Sequence, residues 1–165
     1  MRDGYHVIKE PRPVNGVVIL PILPSGDLLL ARVYRRPIEA YSFEFPRGAS
    51  DPGESLQETA ARELLEETGY TAASIELLGY LHSNASLLSS SVGVCRVLID
   101  GEGQSGTDGE ASSLHHVSVS QLLAMVRNGE ITDGHTLSAV MMAISRSPDR
   151  LSIAGDVAAR TSIPA

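Results

Sequence analysis

The stretch RELLEETG, Arg62 to Gly69, restricts the fold more than any other part of the chain. A helix turns about 100° per residue. With Glu63 at zero, Glu66 falls near 300° and Glu67 near 40°, while Ala60, Leu64, Ala61 and Leu65 fall between roughly 60° and 200°. One flank of the helix is therefore expected in the core, and the other presents three carboxylates inside an arc of about 100°. Gly69 supplies a helix stop. Like charges at this spacing repel, and the C-terminal half of a helix disfavours negative charge. The arrangement calls for something positive.

Around this helix the chain reads as strands and turns. The runs Val14 to Leu20 and Leu28 to Tyr34 flank PILPSGD and suggest a hairpin, and YSFEF, Tyr41 to Phe45, suggests a strand ending at Pro46. RGASDPG reads as a Gly-rich loop, and a helix from about Glu54 to Thr68 follows it. Ile75 to Leu81, Val92 to Ile99 and Leu114 to Val119 are further strands. Two helices follow, SQLLAMVRNG and DGHTLSAVMMAISR, the second with Asp133 as its N-cap and Pro148 past its end. The segment Asp100 to Ser113, rich in Gly, Ser and acid, is expected to be an exposed loop and a site candidate. Strands, a central helix, more strands and terminal helices predict an α+β fold, a mixed sheet between helices in an α/β/α sandwich. A single domain over residues 1–148, with a short N-terminal strand segment, and a tail over 149–165 are expected.

Charge and composition narrow the function. A net charge of −7 argues against a nucleic-acid groove, which needs a positive stripe. Lys9 is the only lysine, so Arg carries most of the positive charge, a bias that suits planar phosphate recognition and equally fits genomic composition. The one cysteine, Cys95, lies in the apolar run VGVCRVLI and fits a buried thiol in a reduced, cytoplasmic compartment. Pro21 and Pro24 cut the longest hydrophobic stretch, so neither a signal core nor a membrane span is predicted.

Three carboxylates on one helix are hard oxygen ligands suited to Mg2+ or Mn2+, which accept remaining ligands from water and substrate phosphates. No His/Cys pattern for zinc is present. His115 and His116 are adjacent on a strand and point to opposite faces, one to the surface and one partly inward.

Read backwards from the helix, GASDPGESLQETAARELLEETGY, Gly48 to Tyr70, resembles the Nudix box, G-x5-E-x7-R-E-U-x-E-E-x-G-U with U apolar. Gly48, Glu54, Arg62, Glu63, Leu64, Glu66, Glu67 and Gly69 match, and Tyr70 stands where an aliphatic residue is usual. Seven exact letters coincide by chance with a probability on the order of 10⁻⁸ or less per window. VYRRPIEAYSFEFPRG, Val33 to Gly48, and GEITDGHTLSAVMMAI, Gly129 to Ile144, resemble segments of the ADP-ribose pyrophosphatase subgroup, so the likeness extends over about residues 14–145.

The resemblance implies the Nudix fold and hydrolysis of a nucleoside diphosphate linked to a group X. The substrate is then a small molecule, most simply ADP-ribose, cleaved to AMP and a sugar phosphate with Mg2+ or Mn2+. By position, Glu63 and Glu67 would ligate metal, Glu66 would ligate or bridge through water, and the Arg47 carbonyl would be a further ligand. Arg62 would orient the cluster through Glu54. Glu110 in the acidic loop would be the general base, with Glu102 or Asp108 in reserve. Arg35, Arg36 and the Arg47 side chain would contact phosphate, and Glu44 would bind ribose or base or line the metal pocket. The resemblance further implies a homodimer, with the strands near Val14 to Leu20 contributing. Two departures leave the substrate open. The subgroup's proline fifteen or sixteen residues past the box is replaced by Ala85 and Ser86, and Arg47 replaces the alanine before the box glycine. Alternatives are another nucleotide sugar, a dinucleoside polyphosphate, or a catalytically silent nucleotide-binding module.

Overall fold

A computed structural model describes residues 6–10, 14–101, 103 and 111–146. Among them, strands β1 (Val14–Ile22), β2 (Leu28–Arg35), β3 (Ala40–Glu44) and β4 (Arg47–Ala49) precede helix α1 (Leu56–Thr68). Strands β5 (Thr71–Leu81), β6 (Ser91–Asp100) and β7 (Ala111–Val117) lead into helices α2 (Val119–Arg127) and α3 (Gly134–Arg146). The sheet runs β3-β2-β1-β6-β5, with β4 on β1 and β7 on β2. β1 and β6 are parallel and the other pairs antiparallel, so the sheet is mixed.

β1 explains the layering. A strand buried on both faces reads as a continuous apolar run rather than an alternating one, and VVILPIL is such a run. Val18, Leu20 and Ile22 join Leu28, Leu30, Phe45, Leu122 and Val140 in the core under α2 and α3. Val17 and Ile19 join Leu29, Ala60, Leu64, Cys95 and Val97 in the core under α1. Helices thus cover both faces of the sheet, the sandwich that the sequence predicts. Burial raises the Cys95 thiol to about 11, so it stays protonated. No helix among the described residues is long and apolar enough to cross a membrane.

The expected hairpin is present as a short antiparallel pairing of β1 and β2 at Ile22 and Leu28, beside the turn in which Gly26 donates to the Leu23 carbonyl at 2.8 Å. Two local expectations are corrected. The predicted RGASDPG loop begins as strand β4, paired with β1 from Val18–Arg47 to Gly16–Ala49. Val119 belongs to α2, because Ser118 caps that helix and accepts a hydrogen bond from the Gln121 amide.

Candidate active site

The site is set by where α1 starts and how it lies. Ser55 caps the helix, accepting from the Glu58 amide at 3.2 Å while its own amide donates to Glu58 Oε2 at 2.8 Å. Gly69 closes it in the left-handed region (φ 74°), donating to the Leu65 carbonyl at 2.8 Å. Glu54 therefore stands just outside the helix, where it accepts from the Asp51 amide at 2.8 Å and from Thr59 Oγ1 at 3.1 Å.

The helix is rotated from the expected orientation. Leu65 is exposed, whereas Thr59, Ala60, Leu64, Glu67 and Thr68 are buried, so the buried arc takes in part of the acidic face. Glu67 is only 6% exposed and accepts a long hydrogen bond from the Arg47 amide at 3.4 Å. The Glu63 carboxylate lies against Gly48: a Cβ built there would sit 1.9 Å from Glu63 Cδ. Glu66 alone of the three faces solvent. The reason is β4, whose backbone gives the carboxylates a polar surface to pack on.

Arg62 is the positive group that this crowding requires. Its Nε donates to Glu54 Oε1 at 2.8 Å and Nη2 to Glu54 Oε2 at 3.0 Å, a bidentate pair. Nη1 reaches Glu63 at 2.8 Å and Glu66 at 3.0 Å, and Nη2 also reaches the Ala49 carbonyl at 2.9 Å. The hydrogen bonds from Arg62 hold the Glu54 carboxyl down at about 2, and those to Glu54 push the guanidinium further above its ordinary value. Glu63 moves the other way: burial raises its carboxyl in spite of Arg62.

A second ionic chain adjoins the first. Glu44, 3% exposed, is held by Arg35 at 2.7 Å and by Arg47 at 2.8 Å. Arg47 Nη1 also donates to Asp133 Oδ1 at 2.9 Å and to His135 Nδ1 at 2.7 Å. Because arginine only donates, His135 Nδ1 is the acceptor, and Nε2 carries the hydrogen given to Ser83 Oγ at 2.8 Å. Asp133 Oδ2 caps α3, accepting from the Thr136 amide at 2.9 Å. Burial opposes the Asp133 charge, but the hydrogen bonds from the Thr136 amide and hydroxyl and the Arg47 charge outweigh it and hold the carboxyl below the usual range. Asp133 is thus a cap, as its sequence position suggests, and also an arginine partner that sequence reasoning missed.

Arg62, Glu63, Glu66, Glu67 and the Arg47 backbone come together on α1 and β4. Arg35 and Glu44 pair with each other a step away. Arg36 is exposed in a 3-10 turn, Arg36–Ile38, beyond β2. Glu102, Asp108 and Glu110 lie outside the described residues. His115 is half-buried beside Ser113 and Phe43, and His116 is exposed and paired with the Tyr70 hydroxyl at 3.1 Å. Among the described residues no three acidic, imidazole or thiol side chains already converge on one point, since Arg62 lies between Glu63 and Glu66. The α1 donors are nonetheless all carboxylate oxygens, the set that a hard divalent cation takes.

A family model described as NUDIX domain matches residues 12–139. The chain is 26% identical to the ADP-ribose pyrophosphatase of Bacillus subtilis (strain 168) over 137 residues, covering 81% of this chain and 72% of that one. It is 39% identical to the ADP compounds hydrolase NudE of Escherichia coli (strain K12) over 90 residues, 53% of this chain and about half (48%) of that relative. Among solved structures, an ADP compounds hydrolase superposes with a TM-score of 0.73 at 27% identity, covering 84% of this chain and 76% of that one. Fold, box and sequence agree: the chain belongs to the NUDIX domain family of pyrophosphohydrolases.

Proposed function

We propose that the protein hydrolyses the pyrophosphate of ADP-ribose, or of a closely related nucleoside diphosphate sugar, to AMP and a sugar phosphate, with Mg2+ as cofactor and Mn2+ as its substitute. The observation that carries this reading is the α1 cluster, with Glu63 seated on Gly48, Glu67 buried at the Arg47 amide and Arg62 tying Glu63 and Glu66 to Glu54. Glu63, Glu66, Glu67 and the Arg47 carbonyl would hold the cation. Its chemistry would be neutralisation of phosphate charge and polarisation of a water.

The chain's own residues supply the rest. Arg62 fixes the carboxylates relative to the box loop through Glu54 and the Ala49 carbonyl. Arg36, exposed at the end of β2, takes a phosphate oxygen. Arg35 and Arg47 have guanidinium groups already engaged by Glu44, so they position that wall and add positive potential. Glu110 serves as general base. The family resemblance supports a homodimer, and the buried Cys95 thiol supports a cytoplasmic setting.

AMP release from ADP-ribose, followed with Mg2+ and then Mn2+, tests the reading. Hydrolysis is expected with either ion and none after chelation. No cleavage of any nucleoside diphosphate derivative with either ion would refute it. Glu67→Gln should abolish turnover with the fold intact, and light scattering should give twice the chain mass.

A further inference from the structure

A cleft of about 280 Å3 opens beside β4 and is lined by Gly48, Arg47, Glu10, Asn15, Ser83 and Ser90, among others. Gly48 is the same residue that carries the Glu63 carboxylate, so the cleft begins one residue's thickness from the glutamates. Its far wall is built by two segments outside the box. Ile8 pairs with the loop after β5, donating to the Leu87 carbonyl at 2.8 Å and accepting from Ser89 at 3.1 Å. The Glu10 amide donates to Ser89 Oγ at 3.0 Å. That loop is the one in which Ala85 and Ser86 replace the subgroup's proline, and Asn84 shapes it instead by accepting from Ser86 Oγ at 2.7 Å.

The chemistry of the lining is selective. Glu10 Oε2 accepts from Asn15 Nδ2 at 2.6 Å and from Ser90 Oγ, which fixes the carboxylate and leaves Oε1 without a partner among the described residues. Across the cleft, Ser83 Oγ receives the His135 hydrogen, so its own hydrogen is available to an acceptor. The one cation in the lining, Arg47, is bound to Glu44 and Asp133. An anion placed here would meet Glu10 with no unengaged positive charge, and the lining holds no Phe, Tyr or Trp to stack a base, its one ring being the imidazole of His135, tied at both nitrogens to Arg47 and Ser83. A hydroxyl, which both donates and accepts, suits both walls, and Val17, Leu88 and Val92 offer a floor for C–H groups. The volume lies just under the roughly 300 Å3 at which pockets for drug-sized ligands begin, enough for one ring rather than a nucleoside.

Building on the hydrolase reading above, we infer that this cleft binds the non-nucleotide group of the substrate as an uncharged polyhydroxyl ring, held by Glu10 and Ser83. The test compares kcat/KM for ADP-ribose with that for the methyl ester of the ADP terminal phosphate, whose X group has no hydroxyl. The ratio should favour ADP-ribose in the unmodified protein. It should fall roughly ten- to hundredfold in Glu10→Gln, as expected for losing a hydrogen bond to a charged group. Ser90→Ala, which releases the Glu10 carboxylate without adding bulk, should lower the ratio in the same direction and carries the test if Glu10→Gln does not fold. An unchanged ratio, or an equal loss on both esters, overturns the inference while leaving the hydrolase reading in place. An unmodified protein that cleaves neither ester overturns this inference for ADP-ribose, and one that cleaves no nucleoside diphosphate derivative overturns the hydrolase reading as well.

Discussion

Replacing Gly48 by alanine separates the site from the fold. The added Cβ would lie 1.9 Å from Glu63 Cδ and 2.1 and 2.2 Å from its oxygens, against an ordinary contact beginning at 3.4 Å. The carboxylate must therefore retreat by about 1.5 Å. That motion is confined to the end of a flexible side chain, and the Gly48 φ is not among the positive values, so alanine fits the backbone. A strained or changed rotamer costs about 0.5–1.5 kcal/mol, and the loss of stability should stay near that figure. Catalysis tolerates less, since a misplacement of about 1 Å can cost on the order of 10²-fold in rate. Gly48→Ala should thus lower kcat for ADP-ribose at least a hundredfold with a Tm only a few degrees lower. Steady-state kinetics with saturating Mg2+ and a thermal melt read both quantities. A variant that keeps the original kcat would show that the seat of Glu63 on Gly48 is irrelevant to the reaction.

Arg62→Lys should cut kcat about tenfold or more, because one ammonium cannot reproduce bonds to Glu54, Glu63, Glu66 and Ala49 together; unaltered kinetics would refute this. Leu64→Ala, at a side chain with 0% exposure under α1, should destabilise by about 2–5 kcal/mol in a denaturant titration. For pH, Glu54 is more acidic folded than unfolded, so its contribution is present above its ordinary 4.5 and is lost as pH falls toward about 2. Asp133 behaves likewise below its ordinary 3.8. Glu63, raised by burial, favours the fold at low pH and loses that contribution as pH rises through its folded value. Acid melts of Glu54→Gln should therefore show a shallower Tm decline below pH 4.5, and an identical decline would refute the assignment. Glu110→Ala should lower kcat far more than it raises KM; a larger effect at Asp108 or Glu102 would move the general base.

Local signals carried the elements and tertiary ones carried the exceptions. Gly69 ends α1 as a glycine stop should, Asp133 caps α3, and the unbroken apolar run of β1 is buried on both faces. The box puts Arg62 beside Glu54, and the two are hydrogen-bonded. β4 escaped because a three-residue strand containing Gly48 has no periodicity, and its pairing is dictated by the edge of β1. The rotation of α1 is hidden for the same reason: helical periodicity places the acids outward, but β4 offers an amide to Glu67 and a glycine to Glu63. Arg47 and Asp133 are 86 positions apart, beyond the reach of any spacing rule.

Arg62 has a consequence for the order of assembly. A guanidinium that bridges Glu54, Glu63, Glu66 and the Ala49 carbonyl ties α1 to its loop by bonds within the chain alone. In small domains whose ligands have no such internal counter-charge, folding waits for the ion and chelators denature. With the proposed cation, this bridge predicts that loading governs turnover more than folding: a chelator should abolish hydrolysis while leaving the thermal melt close to that of the untreated protein.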